Sequence, residues 1–246
     1  MLYTRTEDKK YMVGFDLGEK ACQISYLAST APDVLRTFSM IPGQEAFFVP
    51  TQITKKAGAN LWFVGPEAEE WAKAGGTPVT GLVSLALSGR PVAIEGQEYD
   101  PCSLLALFVK RTLALMAGEV PIEKIAVLMF TAERMDQAMA EMLGRVRGFL
   151  ELPGGEVLWE SHAGSFFHFL VRQQPSLYAK GSILCEYDGV HPLKLWRMRF
   201  NDRTEPVVAY LERSEHADMT AGALRSPAAG PRLSGAPGWR GFVGEP

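Results

Sequence analysis

The first third of the chain alternates short apolar runs with polar turns. Val13 to Asp16 and Cys22 to Ala28 flank Gly18-Glu19-Lys20, and "VLRTFSM" follows as a third run. Runs of this kind bounded by turn residues predict strands, and two strands joined by so short a connection must be antiparallel. "AFFVPTQITKKAGANLWFVG" predicts a second hairpin with Lys55 to Asn60 at a solvated tip. "PEAEEWAKAG" opens on Pro66, suited to the first turn of a helix, and closes on Gly75-Gly76.

From residue 103 the period lengthens. Residues 103 to 117 predict a buried helix capped by Ser103 after Pro101. "EKIAVLMF" is a continuous apolar strand of the kind covered on both faces. Over 132 to 150, Met135, Met139, Met142, Val146 and Phe149 recur at spacings of four and three, which predicts an amphipathic helix with Thr131 as its cap. The methionine stripe reads as core packing. "EVLWE" predicts a strand, "SHAGSFFHFLVRQQ" a helix capped by Ser161, and "SILCEY" and "LKLWRMRF" two strands around Asp188-Gly189-Val190-His191-Pro192. Strands alternating with helices imply a central sheet with helical cover. From Met219 the chain is dominated by Gly, Pro and Ala, a composition that predicts a disordered tail over 219–246. Its abrupt onset suggests a shift of reading frame that truncates a longer protein.

Composition adds limits. The 246 residues are 47% hydrophobic and 22% charged, ordinary for a globular chain. A net charge of −3 and the lack of a basic, aromatic-interleaved surface argue against nucleic acid as a partner. Cys22 and Cys185 lie in apolar runs and read as small core residues, and the three cysteines offer neither a disulfide framework nor metal-ligand spacing. The longest apolar stretch, "SLLALFVKRTLALMA", is broken by Lys110 and Arg111. No membrane span or signal peptide is expected, so the expected location is the cytoplasm.

Among motifs that carry chemistry, GxxxxGK[ST], GxGxxG and GxSxG are all absent. What remains is a strand ending in an acid and a glycine. Gly18 lets backbone N–H groups approach an anion, and Asp16 suits a hydrated Mg²⁺ beside phosphates, since Mg²⁺ takes few carboxylates plus waters and phosphate oxygens. The alternative is a hairpin whose Asp16 bonds only turn amides. His162 and His168 are six apart on a helix and do not form a ligand pair, and Trp159 and Trp196 read as core.

"VGFDLGEKACQISYL" resembles the first phosphate motif of the Hsp70 and actin-like ATPases. The resemblance continues in order through "FFVPTQITKKAGANLWFVGPEAEEWA", "KIAVLMFTAERMDQAMAEMLGRVRGFLELPGGEVLWESHAGSFF" and "SILCEYDGVHPLKLWRM", covering about residues 11 to 200. It implies an α/β fold, a ribonuclease H-like (actin-like ATPase) lobe. That lobe has a mixed five-stranded sheet with helices on both faces and a small inserted α+β subdomain at about 40–100, within one unit over 1–218. It implies ATP with Mg as the cofactor, a nucleotide and an unknown protein client as partners, and chaperone-like switching. Carried over by position, Asp16 is the Mg²⁺-side acid and Glu160 stands near the attacking water, while Gly14, Gly18, Glu19, Lys20, Glu186 and Gly189 line the phosphates. His191 stands where the family has Thr, Ser161-His162 replace Pro-Thr, and the Lys expected before "SGR" is missing from "LVSLALSGR". Removing a positioned cation or loop donor commonly costs phosphoryl transfer ~10²-fold. The family's adenosine pocket comes largely from a second lobe outside the resemblance. The expectation is therefore a degenerate nucleotide-binding module with weak or no hydrolysis, with a non-catalytic interaction scaffold as the alternative. A two-metal nuclease built on Asp16, Glu160 and Glu186 is the third class weighed.

Overall fold

In the computed structural model the described residues are 9–173, 183–186, 193–201, 203 and 208–216. They form an α/β protein in two compact units, Met1–Ser161 and His162–Pro246.

The first unit is built on β1 (Tyr11–Leu17), β2 (Ala21–Ala28), β3 (Ala31–Thr37), β4 (Phe48–Pro50), β5 (Ile53–Lys55), β6 (Trp62–Phe63), α1 (Gly65–Lys73), β7 (Thr77–Val79), α2 (Leu82–Ser88), β8 (Val92–Ile94), β9 (Gln97–Tyr99), α3 (Pro101–Leu115), β10 (Ile125–Ala132), α4 (Gln137–Leu150) and β11 (Glu156–Ser161). The main sheet runs β11-β10-β1-β2-β3. β1 is antiparallel to β2 and parallel to β10, and β10 is parallel to β11. The sheet is mixed, as expected, but has a sixth strand: β4 pairs with residues 21–23 of β2, beside the stretch that β3 occupies.

Strict alternation in β1 decides which face is core. Val13 and Phe15 are buried, whereas Met12 on the other face is 49% exposed. Phe15 meets Phe108 of α3 edge-on at 6.3 Å and Phe130 of β10 at 5.6 Å. α3 packs on α2 and α4, so the helical cover in this unit gathers on the Phe15 side. The methionine stripe is core in part: Met139, Met142 and Val146 are buried, while Phe149 is exposed.

Between β4 and α3 lies the inserted α+β segment, with a sheet ordered β6-β5-β7 beside α1 and a β8-β9 hairpin. The expected solvated tip is corrected here. Lys55 is only 6% exposed and ion-pairs with Glu95, and Lys56 lies over the Trp71 ring at 4.4 Å. The hairpin packs against the β8-β9 turn, which is why Lys55 is not left in water. Two caps also differ. α3 begins at Pro101 under Asp100, whose carboxylate accepts from the N–H groups of Cys102 and Ser103 at 2.8 and 3.3 Å. α4 begins at Gln137 under Asp136, which accepts from the Met139 N–H at 3.0 Å. Thr131, expected as that cap, belongs to β10, because the apolar run continues in extended backbone through Ala132.

The second unit contains α5 (His162–Gln173), β12 (Ile183–Glu186), β13 (Leu193–Asn201) and β14 (Val208–His216). The three strands form an antiparallel meander ordered β12-β13-β14. The chain divides after Ser161, within the span expected over 1–218, and β14 was not anticipated from the sequence. No helix among the described residues is long and apolar enough to cross a membrane. The tail at 219–246 lies outside the described residues.

Candidate functional site

Cross-strand register builds the site. Residues paired across a sheet share a face, and Asp16 of β1 pairs with Thr131 of β10 on one side and Gln23 of β2 on the other. Thr131 in turn pairs with Glu160 of β11. Glu160, Thr131, Asp16 and Gln23 therefore form one polar row across four strands, on the face opposite Phe15. The row lies at the carboxyl ends of the three parallel strands. Behind it runs a second row of Leu158, Met129, Gly14 and Ser25.

The position follows from topology. β1 continues to β2 on one side, whereas β10 continues through α4 to β11 on the other. The carboxyl ends of β1 and β10 therefore lie side by side where β1 turns back antiparallel and β10 crosses over through α4. Asp16 and Thr131 stand at that point. The Thr131 hydroxyl donates to Asp16 Oδ1 at 3.1 Å, which fixes one carboxylate oxygen. Glu160 Oε1 accepts from the Ser161 N–H at 2.7 Å and the Ser161 hydroxyl at 3.1 Å, so its carboxylate is turned along its own strand.

Gly14 leaves the face open, since a Cβ there would meet only the Ser25 carbonyl, at 3.8 Å. Gly18 has a different role. A Cβ on it would sit 2.4 Å from the Ala21 carbonyl oxygen, so closure of the hairpin itself demands glycine. The same turn is fastened by Thr51, whose hydroxyl donates to the Gly18 carbonyl at 2.8 Å and whose N–H donates to the Lys20 carbonyl at 3.0 Å. Glu19 reaches away from the strands: its Oε2 accepts the Ser84 N–H in the first turn of α2 at 3.1 Å. Lys20 is exposed.

A single carboxylate with a neighbouring hydroxyl suits a Mg²⁺ that keeps most of its waters and takes the rest of its ligands from phosphate. It does not suit an all-protein metal cage, and among the described residues no three His, Cys, Asp or Glu side chains gather as one. Asp16 and Glu160 are two strands apart, about 10 Å between backbones, whereas paired catalytic metals sit roughly 3.5–4 Å apart on shared ligands. The two-metal arrangement therefore has no support within the first unit.

Glu186 lies in the second unit, where its backbone pairs with Lys194. Gly189 and His191 lie outside the described residues. His162 is half-buried and His168 exposed, and Trp159 and Trp196 are only partly buried. Cys22 and Cys102 are buried and Cys185 intermediate. Thr131, Gln23, Thr51 and Ser84 are the contributors that sequence reasoning missed, because each acts through a partner distant in the chain.

Fold and row together define an α/β protein with a mixed sheet and a polar carboxyl-end edge. The chain belongs to the family described as "Family of unknown function (DUF5716) C-terminal", which matches residues 35–231. The matched span includes Thr131 and Glu160 and begins after β1 and β2. No curated protein matches the chain.

Proposed function

We propose that this chain is a degenerate Hsp70-like nucleotide-binding module, with a ribonuclease H-like sheet in its first unit, binding Mg-ATP or Mg-ADP weakly in the cytoplasm. Hydrolysis is weak or absent, and the output is a conformational change passed to a protein client. The observation that carries this reading is Asp16, which accepts a hydrogen bond from Thr131 at the carboxyl ends of the adjacent parallel strands β1 and β10. Three antiparallel strands, β1 to β3, joined by β10 and β11 running parallel to β1, are compatible with the mixed sheet of such a lobe. The strands of the second unit form an antiparallel meander, with Glu186 at the end of its first strand.

Two features argue for weakness. The helix containing "LVSLALS" supplies no cation, and Glu19 stands where a hydroxyl would bind phosphate. If half of the ~8 kcal/mol of a micromolar nucleotide site is lost, affinity falls to about millimolar. Calorimetric titration of Mg-ATP and Mg-ADP into the chain and into Asp16→Ala tests the proposal. Saturable heat near millimolar nucleotide, lost in the variant, supports it. Silence in both leaves the non-catalytic scaffold, which the commitment of Glu19 to α2 favours.

A further inference from the structure

We infer that Glu19 is a positioning residue, a latch through which α2 sets the conformation of the β1–β2 turn; as a device of the nucleotide site it rests on the function proposed above. α2 has no side-chain cap of its own. Its preceding residue is Gly81, held at φ 65°, which offers the first-turn N–H groups no acceptor. Glu19 supplies one from 65 residues away, with Oε2 on the Ser84 N–H at 3.1 Å and Oε1 only 3.3 Å from where a Gly81 Cβ would stand. A side chain at residue 81 would crowd the latch.

The consequence is electrostatic as well as mechanical. Glu19 follows the strand that carries Asp16, and a loose carboxylate there would repel a polyphosphate. Docked on α2, it is committed to a backbone donor, and exposed Lys20 remains as the other charged side chain of the Gly18-Glu19-Lys20 turn. Thr51 clamps the carbonyls on either side, at Gly18 and Lys20. The turn is thus held from the inserted segment at two places, and Glu19 is the one that reports whether α2 is seated. By reciprocity, an anion that binds the latched turn must also favour seated α2.

Residue-resolved amide exchange on the whole chain tests this. Glu19→Ala is expected to speed exchange at Ser84 and at the Gly18–Lys20 amides together, by about tenfold if the lost acceptor is worth a typical helix cap. Glu19→Gln keeps an oxygen acceptor without the charge and is expected to restore both segments. Faster exchange at Ser84 alone, or no rescue by Gln, would overturn the latch. Magnesium tripolyphosphate is then added to the wild type and to Glu19→Ala. Slower Ser84 exchange in the wild type only supports the coupling, and binding without that change refutes it. If tripolyphosphate does not bind at all, the nucleotide reading fails, while the ligand-free comparison still decides the latch.

Discussion

Replacing Gly18 and Gly14 separately with alanine should move stability in opposite directions, though both glycines belong to the same strand and turn. At Gly18 the new methyl would stand 2.4 Å from the Ala21 carbonyl oxygen, about 1 Å inside ordinary van der Waals contact. That oxygen cannot simply retreat: Leu17 pairs with Cys22 just inside the turn, and Thr51 grips the Gly18 and Lys20 carbonyls. The strain must be spread over backbone angles and dihedrals, at a cost of about 1–3 kcal/mol. For a chain of this size each kcal/mol lowers Tm by roughly 2–4 °C, so Gly18→Ala should melt roughly 2–12 °C below wild type without any ligand. At Gly14 the nearest atom to a new Cβ is 3.8 Å away, an ordinary contact. Gly14→Ala then reduces the freedom of the unfolded chain and should gain about 0.4–1 kcal/mol. Urea denaturation followed by circular dichroism measures both. If Gly18→Ala is as stable as wild type, the steric account of the turn is wrong, and the glycine would have to be explained by a ligand after all.

Other outcomes follow from single contacts. Asp100→Ala should cost about 1–2 kcal/mol, most of it the lost α3 cap, because the Arg145 pair at 2.8 Å is partly exposed and contributes under about 1 kcal/mol. Asp100→Asn, which keeps a cap acceptor, should recover most of that in the same denaturation assay. The hydrogen bond from Lys55 holds the Glu95 carboxyl below its usual range, so the pair contributes stability above the unfolded carboxylate value and loses it as pH falls through the folded one. Acid titration of Tm should therefore show the wild-type advantage over Glu95→Gln above the ordinary carboxylate range and its loss only below that range. Burial, with Asp16 adding to it, raises the Cys22 thiol far above its ordinary value, and burial raises Cys102 and Cys185 as well. A thiol reagent at pH 8 should reach Cys185 first and Cys22 only on unfolding; rapid native labelling of Cys22 would contradict the packing of β2.

The hairpin of β1 and β2, the strand at 125–132 and the helix at 137–150 were legible because hydrophobic period is a local property. The starts of α3 and α4 were misplaced because a plausible cap, Ser103 or Thr131, stood three or five residues from the one used. β14 was overlooked although "VVAYL" is β-branched and aromatic, since its partner β13 is what makes it a strand. Lys55 shows the limit most clearly. Two adjacent lysines beside a turn signal read as solvent, and only the approach of Glu95, forty residues on, makes one of them part of the interior.

The same limit explains how much of the site could be read in advance. Asp16 was visible, because an acid at the end of an apolar strand is a local anomaly. Its neighbours were not, because Thr131 joins it through parallel register across 115 residues, and a shift of one residue in that pairing would have turned the hydroxyl to the other face. Gly18 was seen, but the turn's own demand for it was not, since a glycine serving a ligand and one serving a tight turn look alike in sequence. Glu19 was placed at the phosphates by position alone, and its hydrogen bond from the Ser84 N–H, 65 residues away, could not be read locally. A site assembled from register and long-range contacts is therefore set by pairings such as Asp16 with Thr131 and Glu19 with Ser84, which no local motif in the sequence displays.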